Sequence, residues 1–90
     1  MEVAWDPEKS KWTLENRKLS FSDFPLLFEG PFWRRLDNRK NYGEHRWILM
    51  GFLDERLVVA VYTLRGATYR ILSMRKANSR EEKAFEKLRY

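Results

Sequence analysis

The chain predicts an α+β domain of two layers, in which an antiparallel sheet, built as a meander, carries two N-terminal helices and one C-terminal helix. Three observations predict it. Helix-start signals stand near both ends of the 90 residues, and three strand-like apolar segments follow one another in the second half. The joints between those segments, Asp54-Glu55-Arg56 and Arg65-Gly66-Ala67, are short enough only for hairpins, which makes the strands antiparallel neighbours. A chain of this length supports one core, so residues 1–90 form a single domain and any activity shares its surface with any partner.

Glu2 to Trp5 alternates polar and apolar side chains and predicts a short first strand. Asp6-Pro7-Glu8 then starts a helix: an Asp to accept from free N–H groups, Pro at the first helical position, and an acid facing the positive helix end. It runs to about Arg17 with a thin apolar stripe, Trp12 and Leu14, so few anchors hold it. A second short helix ends at Phe28, with Phe21, Phe24, Leu27 and Phe28 at helical spacing. Pro25 fits its first turn, which favours Ser22 over Ser20 as the cap.

Glu29-Gly30-Pro31 breaks that helix, and Phe32 to Leu36 predicts a strand leading into a polar loop, Asp37 to Gly43. The meander strands are Arg46 to Leu53, Leu57 to Leu64, and Thr68 to Met74 or Arg75. Asn78 or Ser79 then caps a helix to about Arg89. Ser79 and Glu82 stand at capping-box spacing, and Ala84, Phe85 and Leu88 are the apolar contacts. With the helices on one face of the sheet, most of the 14 aromatic residues are core.

Composition excludes several functions. There is no cysteine, hence no disulfide framework, zinc ribbon or thiol nucleophile, and the single histidine, His45, rules out zinc sites needing two imidazoles. No metal or other cofactor is expected. The N-terminus mixes both charge signs and has no targeting pattern. The longest uncharged run, Leu57 to Leu64, is far short of a membrane span, so a cytoplasmic protein without membrane attachment is predicted.

The formal charge of +5 is unevenly spread. Residues 1–45 hold eight basic and eight acidic side chains, whereas residues 46–90 hold ten basic and five acidic. Between Arg56 and Arg80 no carboxylate interrupts Arg65, Arg70, Arg75 and Lys76. A solvated surface normally mixes both signs, so this window points to an anionic partner, with phosphate backbone the commonest. The plainer alternative is a basic soluble face without a ligand.

In the meander, the start of the strand at 46, the turn at 65 and the start of the strand at 68 fall at one end, so Arg46, Arg65 and Arg70 form a candidate cluster. Alternation puts Arg70, Leu72 and Met74 on one face and Tyr69, Ile71, Ser73 and Arg75 on the other; Arg75 joins the cluster only if the strand twists or ends before it. Guanidinium groups suit RNA cleavage without a metal, in which the 2′-hydroxyl attacks the neighbouring phosphorus and extra negative charge must be stabilised. The base and acid candidates are Glu44, His45, Glu81 and Glu82, or a tyrosine beside the arginines. Helix capping accounts for Glu82, and a solvated loop accounts equally well for His45.

The chain resembles the BrnT toxins of bacterial type II toxin–antitoxin modules. The matching pieces are Trp5-Asp6-Pro7 with Lys9; Ser20-Phe21 and Phe28; Gly43-Glu44-His45-Arg46 before a strand bearing Gly51; and Leu57 to Thr63 followed by Arg65. The most specific is Arg70-Ile71-Leu72-Ser73-Met74-Arg75-Lys76-Ala77 followed by Glu81, similar to R-I-I-S-A-R-x-A…E. The resemblance implies a RelE-like ribonuclease fold and RNA cleavage that arrests translation. It also implies hetero-oligomerisation with a ribbon-helix-helix antitoxin, through which alone operator DNA is bound. It carries function to Glu44, Arg46, Arg65, Arg70 and Arg75. With His45 these are the candidate catalytic residues, and Arg56, Lys76 and Arg80 are candidate RNA-binding residues. The family's usual Asn and Lys-His-Gly correspond to Thr13 and Asn16-Arg17-Lys18, an acid before Arg65 is replaced by Leu64, and a tyrosine is replaced by Phe85, with Tyr90 further along. These departures define a second reading, a nucleic-acid- or antitoxin-binding protein of the same fold with weakened or absent catalysis.

Overall fold

The structure, a computed structural model, describes residues 1–39 and 43–88. Five strands form one sheet in the order β1-β5-β4-β3-β2: β1 (Glu2–Trp5), β2 (Trp33–Leu36), β3 (Arg46–Leu53), β4 (Arg56–Arg65) and β5 (Thr68–Lys76). The predicted meander is present, with Leu53 paired to Arg56 and Arg65 to Thr68 across two-residue turns. Both turns place their first residue at positive φ, Asp54 at 56° and Gly66 at 61°, which matches the twist of adjoining strands. The sheet is mixed rather than antiparallel, however, because β1 runs parallel to β5 along its outer edge.

The layering also differs from expectation: helices cover both faces. On one face lie helix α1 (Pro7–Arg17) and a 3-10 helix (Phe21–Phe28); we term it the closed face. Phe21, Phe24 and Leu27 are buried there against Leu49, Val58, Ala60, Tyr62, Ile71 and Met74. On the other, helix α2 (Ser79–Leu88) packs Phe85 against Ile48, Met50, Leu57 and Val59. The cause lies in the sequence of β3 and β4, which are apolar at consecutive positions and therefore need cover on both sides.

Local chemistry explains each helix. The Asp6 carboxylate accepts from Glu8 N at 2.9 Å, the cap the sequence predicts. Trp12 and Leu14 are about half exposed and do not anchor α1; Thr13 is its buried residue, and Arg17 Nη1 donates to Met74 O at 2.9 Å. Ser20, not Ser22, caps the second helix, which is 3-10 with Pro25 inside it. Its i→i−3 bonds, such as Asp23 N to Ser20 O, form turn by turn, so a missing donor at Pro25 does not break a longer ladder. Gly51 on β3 meets this helix so closely that a Cβ would lie 2.4 Å from Leu27 O.

In α2 the reciprocal box is made by Asn78 and Glu81, not Ser79 and Glu82: Glu81 N donates to Asn78 Oδ1 at 2.9 Å and Asn78 N to Glu81 Oε1 at 3.0 Å. Arg89 and Tyr90 lie outside the described residues, as does Lys40 of the polar loop.

Candidate RNA-binding face

One irregularity in β5 decides which side chains share the second face. Tyr62 pairs with Ile71 and Val61 with Ser73, so Leu72 is an extra residue, a β-bulge. In a regular strand, residues five apart point to opposite sides. The bulge inserts one step, so Arg70, paired with Thr63, and Arg75, paired with Val59, lie on the same face. It also returns Met74 to the closed face, where the side chain is fully buried with Ile71. The predicted grouping of Arg70 with Met74 is thereby corrected.

The register lays out the second face in rows. In the first described row Arg65 of β4 faces Thr68 of β5, and Arg65 Nη2 is 3.8 Å from a Glu44 carboxylate oxygen. In the next, Arg70, Thr63 and Arg46 stand side by side on β5, β4 and β3. Thr63 is buried, and the two arginines flank it two strand spacings apart, about 10 Å at the Cα atoms. Ser73, Val61, Ile48 and Arg35 make the row after that, and Arg75, Val59, Met50 and Trp33 the last before α2 crosses. Arg46, Arg65 and Arg70 thus gather at one end, as predicted, and Arg75 lies further down the same face.

Arg75 is held rather than free. Its Nη1 and Nη2 donate to the two carboxylate oxygens of Glu81 at 2.7 and 2.8 Å. This fork holds the Glu81 carboxyl below its ordinary range and the Arg75 guanidinium above its own. Glu81 therefore serves the helix cap and the arginine together.

Two arginines that the sequence reading passed over join this face. Arg35 projects from β2 beside Ile48, with its guanidinium 5.9 Å from the Trp33 ring centre. Arg39 donates through Nε and Nη2 to the buried Asp37 carboxylate at 2.9 and 3.0 Å. With Arg75 and Arg80 they line a groove between β2 and α2. Their signal was hidden because the N-terminal half is neutral in sum, although its acids Glu2, Glu8 and Glu15 lie on β1 and α1. Ser73, the polar residue of the R-I-L-S-M-R segment, also lines the groove.

Other predicted residues are placed elsewhere. Arg56 begins β4 at the far hairpin, nine residues and about 30 Å from Arg65, beside Lys18, Asp23 and Asp54. Lys76 pairs with Val58 and so belongs to the opposite side of β5 from Arg75. His45 is exposed at the end of the sheet, lining a hollow with Glu44, Leu36, Trp47 and Leu64. Phe85, where the resemblance has a tyrosine, is a core side chain in edge-to-face contact with Phe52, their ring centres 5.4 Å apart. Among the described residues no group of three or more His, Asp or Glu side chains comes together as a metal site, and no helix is long and apolar enough to cross a membrane.

The arrangement is an arginine-lined sheet face with one acid–base candidate, Glu44, beside Arg65 at one end and a guanidinium–carboxylate fork at the other. His45 stands at the same end of the sheet as Glu44, in the hollow with Leu36, Trp47 and Leu64. Comparison with curated proteins finds no match. A family model does match, over residues 5–81, and that span contains strands β2 to β5 in full, the last residue of β1, and each arginine of the face described above. The chain belongs to the BrnT family, the ribonuclease toxins of type II toxin–antitoxin systems.

Proposed function

We propose that this protein is a metal-independent endoribonuclease of RelE-like fold that cleaves RNA in the cytoplasm and so inhibits translation. A ribbon-helix-helix antitoxin neutralises it by forming a hetero-oligomer, and operator DNA is bound only through that antitoxin. An antitoxin partner as such follows from membership of a type II family. The observation that carries the reading is the Leu72 bulge, because it collects Arg70 and Arg75 on the face that already holds Arg46 and Arg65.

In this reading a phosphodiester sits over Thr63 between Arg46 and Arg70. The 2′-oxygen attacks phosphorus as Glu44 or His45 takes its proton; the P–O5′ bond breaks, and the leaving oxygen collects a proton from the other group. The products are a 2′,3′-cyclic phosphate and a 5′-hydroxyl. Fixed guanidinium donors stabilise the charge that builds on the non-bridging oxygens at the transition state.

Incubation of the purified chain with RNA in EDTA tests this. Cleavage yielding 2′,3′-cyclic phosphate ends is expected, and Arg46→Ala or Arg70→Ala should lower it by about 100- to 1,000-fold, in the range for loss of one preorganised donor. Arg75→Ala also lowers it. Full activity in all three folded variants overturns the assignment.

A second reading has its own support: Phe85 is buried in place of a phenol, and Arg75 is tied to Glu81. It predicts salt-dependent RNA binding without product.

A further inference from the structure

Phosphate binding at Arg46 and Arg70 uses only one end of the second face. Beyond it the sheet surface turns apolar, with Ile48, Met50, Val59 and Val61 forming the floor of a groove of about 560 Å³ between β2 and α2. Trp33 lines one wall and Leu88 the other, while Arg35, Arg39, Arg75 and Arg80 stand around it. Its one carboxylate among the described residues, Glu81, is engaged by Arg75.

An apolar floor inside a ring of arginines matches a ligand that is flat and apolar at its centre and anionic at its margins. An extended acidic peptide fits less well, because it needs backbone partners. The floor belongs to central strands whose N–H and C=O groups are committed to neighbouring strands. A nucleobase needs only an apolar or aromatic surface, which Trp33 and the floor supply, plus a polar edge contact, which the Ser73 hydroxyl offers. The groove lies one row from Arg70 and Arg46, a step of about 7 Å along the strands, comparable with one nucleotide of an extended chain.

We propose that this groove is a base-binding subsite that takes one unpaired nucleobase flanking the cleaved phosphate, so that the substrate must be single-stranded at that position. The inference rests on the ribonuclease reading above and assigns it a substrate class. Base pairing buries the faces and edges that the groove would contact, so a duplex is excluded.

The test uses the full chain and an RNA oligonucleotide 2′-O-methylated at every position but one, so that the single free 2′-hydroxyl fixes where cleavage occurs. Each neighbouring nucleotide is made abasic in turn, with cleavage followed in EDTA and binding by fluorescence anisotropy. One flanking position should lose about tenfold in binding and cleavage when its base is removed, as for a stacked base, while the others change little. Val61→Trp, which fills the floor, should weaken the intact oligonucleotide by a similar factor and show no further loss with the abasic one. Leu88→Trp narrows the groove from an exposed position and gives the same result if Val61→Trp does not fold. Equal tolerance of abasic sites at every position, or unchanged binding by the folded variants, overturns the subsite and leaves the ribonuclease reading standing. RNA binding that is indifferent to the filled groove while an acidic protein partner is lost assigns the groove to that partner and overturns it too. Absence of both cleavage and RNA binding by the wild-type chain overturns the reading and the subsite together.

Discussion

The two faces of the sheet are built from the same strands and finished in different ways. The closed face carries two helices, and its aromatic rings interlock: Phe24 meets Tyr62 and Phe28 at ring separations of 5.5 and 5.7 Å. The open face carries one helix, held at its start by the Arg75–Glu81 fork and in its middle by Phe85 against Phe52. The adjacent arginines of β2 follow the same division. Arg34 turns to the closed side, donates to the Tyr62 hydroxyl at 3.1 Å and lies 5.5 Å from the Trp47 ring centre, whereas Arg35 turns to the groove. Burial holds the Tyr62 phenol above its usual range, so Arg34 is bound to a neutral oxygen. One face spends its side chains on stability, and the other keeps cations at its surface where an anion can reach them.

If that contrast is right, deletions on the two faces differ in kind. Phe24→Ala removes a fully buried ring and should cost about 3–5 kcal/mol of global stability in chemical denaturation. Phe85→Ala removes an equally enclosed ring, but α2 can detach while the sheet keeps its other core. A smaller global loss is expected, with faster hydrogen exchange confined to α2. Equal losses, with no local exchange in α2, break the comparison by making the faces one cooperative unit.

Gly51→Ala probes the closed face from the backbone side. Its new Cβ would sit 2.4 Å from Leu27 O, which is backbone of the 3-10 helix, so that helix must move away from β3. A loss of about 1–3 kcal/mol is expected, as in overpacked cores. A variant as stable as the wild type would show that the 3-10 helix is loosely seated and the closed face less fixed than its packing implies.

The meander was legible because two-residue joints leave no other connection, and the cap at Asp6 because Asp-Pro-Glu is specific chemistry. The parallel pairing of β1 was not: four residues name no partner, and the choice of β5 is made by the whole sheet. Cover on both faces had a signal, the consecutive apolar residues Ile48-Leu49-Met50 and Leu57 to Ala60, which the expectation of a two-layer domain outweighed. The bulge had a faint signal, the adjacent apolar pair Ile71-Leu72 that breaks the alternation between Arg70 and Arg75, which a strict two-residue parity passed over. Arg46, Arg65 and Arg70 could therefore be grouped from the sequence, while Arg75 joined them only through Leu72, and Arg35 and Arg39 only through the fold.

The fork between Arg75 and Glu81 gives the smallest expected effect and the finest test of how the open face is held. Glu81 has its carboxyl pKa lowered in the folded chain by Arg75 and by the Asn78 N–H. A carboxyl depressed on folding stabilises the fold above its ordinary value of about 4.3, and that contribution is lost as pH falls through the lower folded value. Both side chains are partly exposed, at 43% for Arg75 and 20% for Glu81, so solvent screening keeps the contribution modest. Acidification below the ordinary carboxylate range should accordingly loosen α2, seen as rising amide exchange in residues 79–88, before the closed face yields. Glu81→Gln should show the looser α2 already at neutral pH and lose this acid-dependent step, with little change in the denaturation midpoint. The same variant frees the Arg75 guanidinium to turn toward a phosphate on the open face, so RNA binding should hold steady or tighten even as α2 loosens. Weaker binding in Glu81→Gln would mean instead that the fork positions Arg75 for the anion, so that holding α2 and holding RNA depend on the same pair of side chains of the open face.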